Sequence, residues 1–244
     1  MVELSEQRYR AHYLTADIAQ CRVALLVLIA PLAPFLWIDF RQFGLSMQFY
    51  QLLVARLLFA TCTIGLWLYL PRIVDALRLD RMLMLWALAG ALMVLYTEYV
   101  KPVDFFGHYA VDVWIVVTFF AALPLPTRTK MIPVLLFAGG GVTMLLLHKL
   151  PPSKLETVYA LLGLVLSVAS GAVVSMRLHR YRREALLARL EAEHRANTDS
   201  LTGLANRRAF MQAAAIECER HERRGEPLAV ILMDLDNFKQ INDT

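Results

Sequence analysis

Six apolar stretches, each close to the ~20 residues a helix needs to cross a bilayer, constrain this chain more than anything else in it. They cover residues 23–40, 50–70, 82–100, 108–123, 131–148 and 155–176, the fourth being the shortest and ending at Pro124-Leu125-Pro126. Hydrophobic residues make up 58% of the chain and charged residues 19%, against roughly 45–50% apolar in a soluble domain. The apolar excess stops at Met176, and residues 177–244 have the composition of ordinary soluble sequence. Two segments with different solvents are therefore expected, a membrane part and a soluble part.

An even number of spans puts both ends on one side. Lys and Arg decide which: Arg8, Arg10 and Arg22, then Arg72, Arg78 and Arg81, then Arg128 and Lys130, then Arg177, Arg180, Arg182 and Arg183 flank one side. Only Arg41, Lys101, Lys149 and Lys154 flank the other. The positive-inside bias then places both termini in the cytoplasm of a multi-pass protein of a bacterial inner membrane. These flanks also account for the net charge of +4, so no nucleic-acid partner is implied. The first 22 residues are polar and mixed in charge, so 23–40 reads as a retained span rather than a cleaved signal. Cys21, Cys62 and Cys218 have neither disulfide nor zinc spacing.

Charged side chains inside a span cost several kcal/mol each, roughly 2.5–3.5 at a helix centre on insertion scales. Arg56 and Asp112 lie about two turns into their spans from the same side, so an Arg56–Asp112 ion pair is the expected solution. Glu98, His108 and His148 fall near that side too, and His108 and Asp112 share a helix face by their four-residue spacing. Arg56, Glu98, His108, Asp112 and His148 form the candidate sensor pocket; the alternative is a structural ion pair with interfacial histidines. Gly139-Gly140-Gly141 suits close helix packing. Gly163, Ser167 and Gly171 make a small-residue stripe of the kind on which membrane helices approach closely, the expected basis of a homodimer through the sixth span and the helix after it. Few intramembrane charges and no visible repeat argue against a transporter.

Residues 177–197 contain no Gly or Pro and many good helix formers, so the sixth span is expected to continue as one linker helix, a candidate coiled coil around Leu186 and Leu190. A break at residues 198–205 follows, then a helix from about Asn206, a suitable N-cap, to Arg224, with Phe210, Ala213, Ala214 and Cys218 on one face. A turn at Gly225-Glu226-Pro227 leads into an expected strand over residues 228–234. The fold class is thus mainly α, with a six-helix membrane sensor domain at 23–176 after a cytoplasmic segment at 1–22. A signalling helix at 177–198 and the first α and β elements of an α/β domain at 199–244 complete it.

The soluble part carries two motifs, Asp199-Ser200-Leu201-Thr202-Gly203-Leu204-Ala205-Asn206-Arg207-Arg208 and Asp234-Leu235-Asp236-Asn237-Phe238-Lys239-Gln240-Ile241-Asn242-Asp243. In this order, with a helix and a strand between them, they resemble the start of a GGDEF domain, the diguanylate cyclase domain of bacteria. The resemblance implies an α/β nucleotidyl-cyclase-like fold and the joining of two GTP into cyclic di-GMP by a dimer, a phosphoryl transfer. It implies that Asp234 and the Leu235 carbonyl bind metal and that Asn237 and Phe238 present backbone amides to the phosphates. Lys239 would stabilise charge there and Asn242 hydrogen-bond guanine, while Asp199 and Arg207 would pair to brace the incoming helix. Asp236, on the other strand face, would be structural.

Hard oxygen donors and a lysine suit Mg2+ (or Mn2+) and phosphate. An EF-hand is excluded because Phe238 stands at a ligand position and the required glycine is missing. In relatives the Gly-Gly-Asp/Glu-Glu-Phe signature lies downstream of the position of Thr244. The 244 residues by themselves are therefore expected to be inactive, as part of a membrane-bound sensory diguanylate cyclase. The alternative is a membrane receptor whose GGDEF-like domain is catalytically degenerate and only binds nucleotide or partner.

Overall fold

The computed structural model describes residues 5–106, 109–150, 153–233 and 236. Helices follow one another as α1 (Glu6–Ile29), α2 (Leu32–Phe43), α3 (Met47–Tyr69), α4 (Ala76–Val100), α5 (Tyr109–Ala122), α6 (Thr127–Leu147), α7 (Lys154–Asn197) and α8 (Arg207–Arg224). The chain divides into two compact units, residues 1–186 and 187–244.

The first unit is the apolar bundle. Among the described residues five helices are long and apolar enough to cross a membrane, namely Glu6–Phe43 taken across its break, Met47–Arg72, Ala76–Val100, Thr127–Leu147 and Lys154–Asn197. The fourth expected span is the short helix α5, whose 14 residues rise about 21 Å at 1.5 Å each, less than the ~30 Å hydrocarbon layer. The first expected span is not one straight helix. It is interrupted at Ala30-Pro31, because Pro31 and Pro34 lack the N–H groups that would continue the backbone ladder. Residues 6–22, expected as a separate polar segment, are the first four turns of α1. Ser46 and Asp75 cap α3 and α4, each accepting from the backbone N–H three residues on.

Helix α4 packs on α3 and α6, α3 on α2 and α1, and α1 on α5. The core between them is built from Leu25, Leu66, Leu83, Trp86, Phe120 and Phe137 with their neighbours. Trp86 stacks on Phe59, with ring centroids 5.6 Å apart, and donates its indole N–H to the Thr63 hydroxyl at 2.8 Å. Gly140 is where α6 meets α4: a Cβ there would lie 2.5 Å from a Leu95 methyl, so a larger residue would make that leucine side chain shift. The small-residue stripe of α7 is spent inside the chain. Ser167 is buried, and a Cβ on Gly171 would lie 2.4 Å from the Phe120 ring, so this face seats α5 instead of remaining open for a second copy.

Helix α7 runs unbroken for 44 residues, as the lack of Gly and Pro after Met176 predicts. In the second unit Asn206 caps α8, its side chain accepting from the Ala209 N–H at 3.1 Å, and Gly225 ends it in the left-handed conformation at φ 65°. Of the strand expected at 228–234, the described residues 228–233 form none, and Asp234 lies outside the described residues. Residues 228–233 carry no regular structure and are exposed, and among the described residues the only β pairing is the isolated bridge Thr198–Ala205. A strand is held by a ladder to its neighbours, and no described segment supplies one. The face of α8 expected to pack on that strand is accordingly uncovered, with Phe210 and Cys218 exposed.

Candidate functional sites in the bundle and the C-terminal unit

At the end of the bundle where α4 finishes, α2, α3, α4 and α5 bring charge into the interior. Asp39, on α2, is completely buried and accepts from Arg56 of α3, with Nε and Nη2 each 2.8 Å from the same carboxylate oxygen. The Lys101 ammonium lies 3.3 Å from the other oxygen and 4.2 Å from the centre of the Phe105 ring. The expected Arg56–Asp112 pair is therefore replaced. Arg56 belongs to Asp39, and Asp112 is hydrogen-bonded to the buried carboxyl of Glu98. Two carboxyl groups bond to each other only through a proton held between them.

These groups line one end of a cavity of about 240 Å3. Its wall includes Arg56, Thr97, Glu98, Lys101 and Asp112 at the polar end and Phe59, Trp86, Phe119, Pro133 and Phe137 at the apolar end. Pro133 stands inside α6, where it removes one backbone donor from the ladder. Of the candidate pocket, Arg56, Glu98 and Asp112 share this cavity. His148 does not line it: its ring stacks on Tyr99 at 4.9 Å, with Nε2 3.3 Å from the Tyr99 carbonyl oxygen. His108 lies outside the described residues.

The opposite end of the bundle holds a polar network that sequence reasoning missed. Arg10 of α1 donates to Asp17 at 3.2 Å, to the Pro124 carbonyl at 2.9 Å and to Asp80 of α4. Arg182 of α7 donates to Asp17 at 2.9 Å and to Gln20 at 2.6 Å, and Gln20 in turn donates to the Ala122 carbonyl at 2.7 Å. His179 lies 2.7 Å from the Leu125 carbonyl oxygen, and the Lys130 ammonium donates to the Phe120 carbonyl at 2.7 Å and the Ser175 hydroxyl at 3.0 Å. Helix α7 is thereby fastened to α1 and to the α5–α6 connection. The available signal was the pair of acids, Asp17 and Asp80, at the same depth as arginines that the orientation argument treats only as flanks.

In the C-terminal unit the first motif is a closed turn. The Asp199 carboxylate accepts from the Thr202 N–H at 3.0 Å, the Thr202 hydroxyl at 2.9 Å and the Leu201 N–H at 3.2 Å, and these bonds hold it below the usual carboxylate range. Gly203 takes φ 71°, and the Asp199 N–H returns to the Leu204 carbonyl at 2.8 Å. The Asn206 amide donates to the Ala196 carbonyl at 2.9 Å, tying the start of α8 to the end of α7. Asp199 makes no ion pair with Arg207, contrary to expectation; its Oδ1 takes all three bonds of the turn instead. Asp234, Leu235, Asn237, Phe238, Lys239 and Asn242 lie outside the described residues. Among the described residues no group of three or more His, Cys, Asp or Glu is placed to hold a metal.

The long apolar helices of the first unit are compatible with a membrane protein. Residues 196–244 match the profile of the family described as "Diguanylate cyclase, GGDEF domain". The chain is 46% identical over 68 residues to the "Cyclic di-GMP phosphodiesterase NbdA" of Pseudomonas aeruginosa, covering 26% of this chain and 9% of that protein. It is 50% identical over 48 residues to a "Diguanylate cyclase" of Vibrio cholerae, covering 20% and 15%, and 42% identical over 53 residues to the "Diguanylate cyclase DosC" of Escherichia coli K12, covering 22% and 12%. The chain thus spans less than a fifth of the length of these relatives. No solved structure matches it.

Proposed function

We propose that this chain is the membrane-embedded input part and the first GGDEF segment of a sensory diguanylate cyclase, which makes cyclic di-GMP from two GTP. The observation that carries this is the GGDEF-family match at residues 196–244 directly behind α7, a continuous helix whose first half belongs to the apolar bundle. A helix of that kind turns an event in the bundle into a rotation or displacement at the cyclase, and so into a change of dimer geometry. The dimer is assigned to the linker part of α7, since its small-residue stripe is already occupied by α5.

Asp234 and the Leu235 carbonyl would hold the metal, Mg2+ or Mn2+, which supplies neutralisation of the triphosphate charge when bound. Asn237 and Phe238 would offer backbone donors to the phosphates, Lys239 a cation, and Asn242 a hydrogen bond to guanine. Both termini are assigned to the cytoplasm, on the Lys and Arg distribution.

The test uses the whole protein, including whatever follows Thr244. With an intact Gly-Gly-Asp/Glu-Glu-Phe signature it should convert GTP and Mg2+ to cyclic di-GMP, and Lys239→Ala or Asp234→Ala should reduce this at least about a hundredfold. An intact signature without product would refute the cyclase assignment. The second candidate, a degenerate GGDEF-like receptor, draws on the similarity of this segment to a protein named as a phosphodiesterase. A whole protein that binds GTP but yields no cyclic di-GMP would establish it.

A further inference from the structure

We propose that the bundle cavity binds a small organic amine, its ammonium set against Asp112 and Glu98 and its apolar body among Phe59, Trp86, Phe119 and Phe137.

Size comes first. An apolar cavity of about 150 Å3 holds a benzene-sized molecule; one of about 240 Å3 therefore takes a molecule of roughly ten non-hydrogen atoms by the same proportion. The polar groups then choose the head. Among the described wall residues the two cations, Arg56 and Lys101, are each paired with Asp39, so an anionic head would meet two acids and cations that already hold an anion. Asp112 is 4% exposed, and among the described residues no cation is paired with it; it is bonded to Glu98 through a shared proton. Lys149 acts on Glu98 through its charge, while its ammonium is held by the Lys101 and Pro102 carbonyls. An entering ammonium takes the place of the shared proton, which leaves to solvent, so the charge of the site is the same before and after. The aromatic faces of the apolar wall suit an aromatic body, packed offset or edge-to-face against them.

The cavity lies in the part that the proposed function makes a sensor, and the inference rests on that assignment only for its consequence. Binding is measured by itself, so an empty cavity and an inactive cyclase are separate results. The full chain in detergent micelles is titrated calorimetrically with 2-phenylethylamine, 2-phenylethanol and 3-phenylpropionate. The amine should bind at least about tenfold tighter than the alcohol and the acid. Asp112→Asn should abolish that preference, and Ala91→Leu, which fills the cavity from α4, should weaken amine binding severalfold. Should Asp112→Asn fail to fold, the three-probe comparison on the unaltered chain together with Ala91→Leu decides. Equal or tighter binding of the alcohol or acid, no binding of the amine, an amine preference that survives Asp112→Asn, or amine binding indifferent to Ala91→Leu would each overturn the proposal.

Discussion

Asp39→Asn tests the electrostatic centre of the bundle. The substitution keeps the shape of the side chain and removes its charge, leaving Arg56 and Lys101 buried without an anion and within reach of each other's charge. Each cation–carboxylate attraction is about 4 kcal/mol at ~4 Å between charge centres and an effective dielectric constant of ~20. The two together are offset by the several kcal/mol that desolvating Asp39 itself costs. What remains is about 3–5 kcal/mol of destabilisation, the usual result of breaking a buried pair from one side. Unfolding by dodecyl sulfate in mixed micelles, followed by the loss of helical circular dichroism, measures it.

A double-mutant cycle identifies the partner. Asp39→Asn and Arg56→Gln should couple by at least about 1.5 kcal/mol, whereas Asp112→Asn and Arg56→Gln should couple by less than about 0.5 kcal/mol. The reverse order of couplings would reinstate the Arg56–Asp112 pair and refute the geometry described above.

Arg182→Ala should destabilise the bundle by about 1–3 kcal/mol in the same assay, less than a lone buried pair would cost, because Asp17 keeps Arg10. Gly171→Ala should cost about 1–3 kcal/mol by pressing on Phe120. Gly163→Ala, which would meet only Val113 at an ordinary 3.5 Å, should be neutral or stabilising by up to about 1 kcal/mol; equal effects at the two glycines would contradict the packing of α5 on α7. The Asp199 carboxyl should titrate below its ordinary value of 3.8 in carbon-detected NMR. Because its folded pKa is depressed, the turn is at full strength above that ordinary value and loosens as pH falls through the lower folded one; Thr202→Val should bring the titration back toward 3.8.

What could be read from the sequence was what depends on neighbours along the chain. The apolar lengths announced the long apolar helices, the absence of Gly and Pro announced the unbroken α7, and Asn206 and Gly225 marked both ends of α8. Pairing across the bundle was a different matter. Position along a span gives approximate depth but not direction around the helix axis, so Asp112 was the expected partner of Arg56 while the geometry pairs it with Asp39, at the end of the first span. Similarly, Arg10 and Arg182 served the orientation argument as flanking charges while their acids, Asp17 and Asp80, went unused. The stripe of Gly163, Ser167 and Gly171 correctly signalled close approach, but composition cannot say whether the approaching helix is another copy's or, as here, α5 of the same chain. For residues 228–233 the apolar run indicated what a strand would bury, and a strand exists only when others pair with it.

The short helix α5 occupies both functional faces of the bundle. Asp112, Val116 and Phe119 line the cavity from one side. The next residue, Phe120, lies against Gly171 of α7, and its carbonyl accepts from Lys130, whose ammonium also reaches Ser175 of α7. Just beyond, the Ala122 and Pro124 carbonyls accept from Gln20 and Arg10, which join the Arg182 network. Close-packed interiors do not yield continuously, so a molecule that displaces α5 from the cavity side has to disturb the contacts that hold α7. Such a coupling acts equally in the other direction. Gly171→Ala, acting on Phe120 from the α7 side, should change the affinity of the cavity for 2-phenylethylamine by a few-fold, roughly the size of a modest coupling free energy. Unaltered affinity in a folded variant would show that the two faces of α5 are energetically separate.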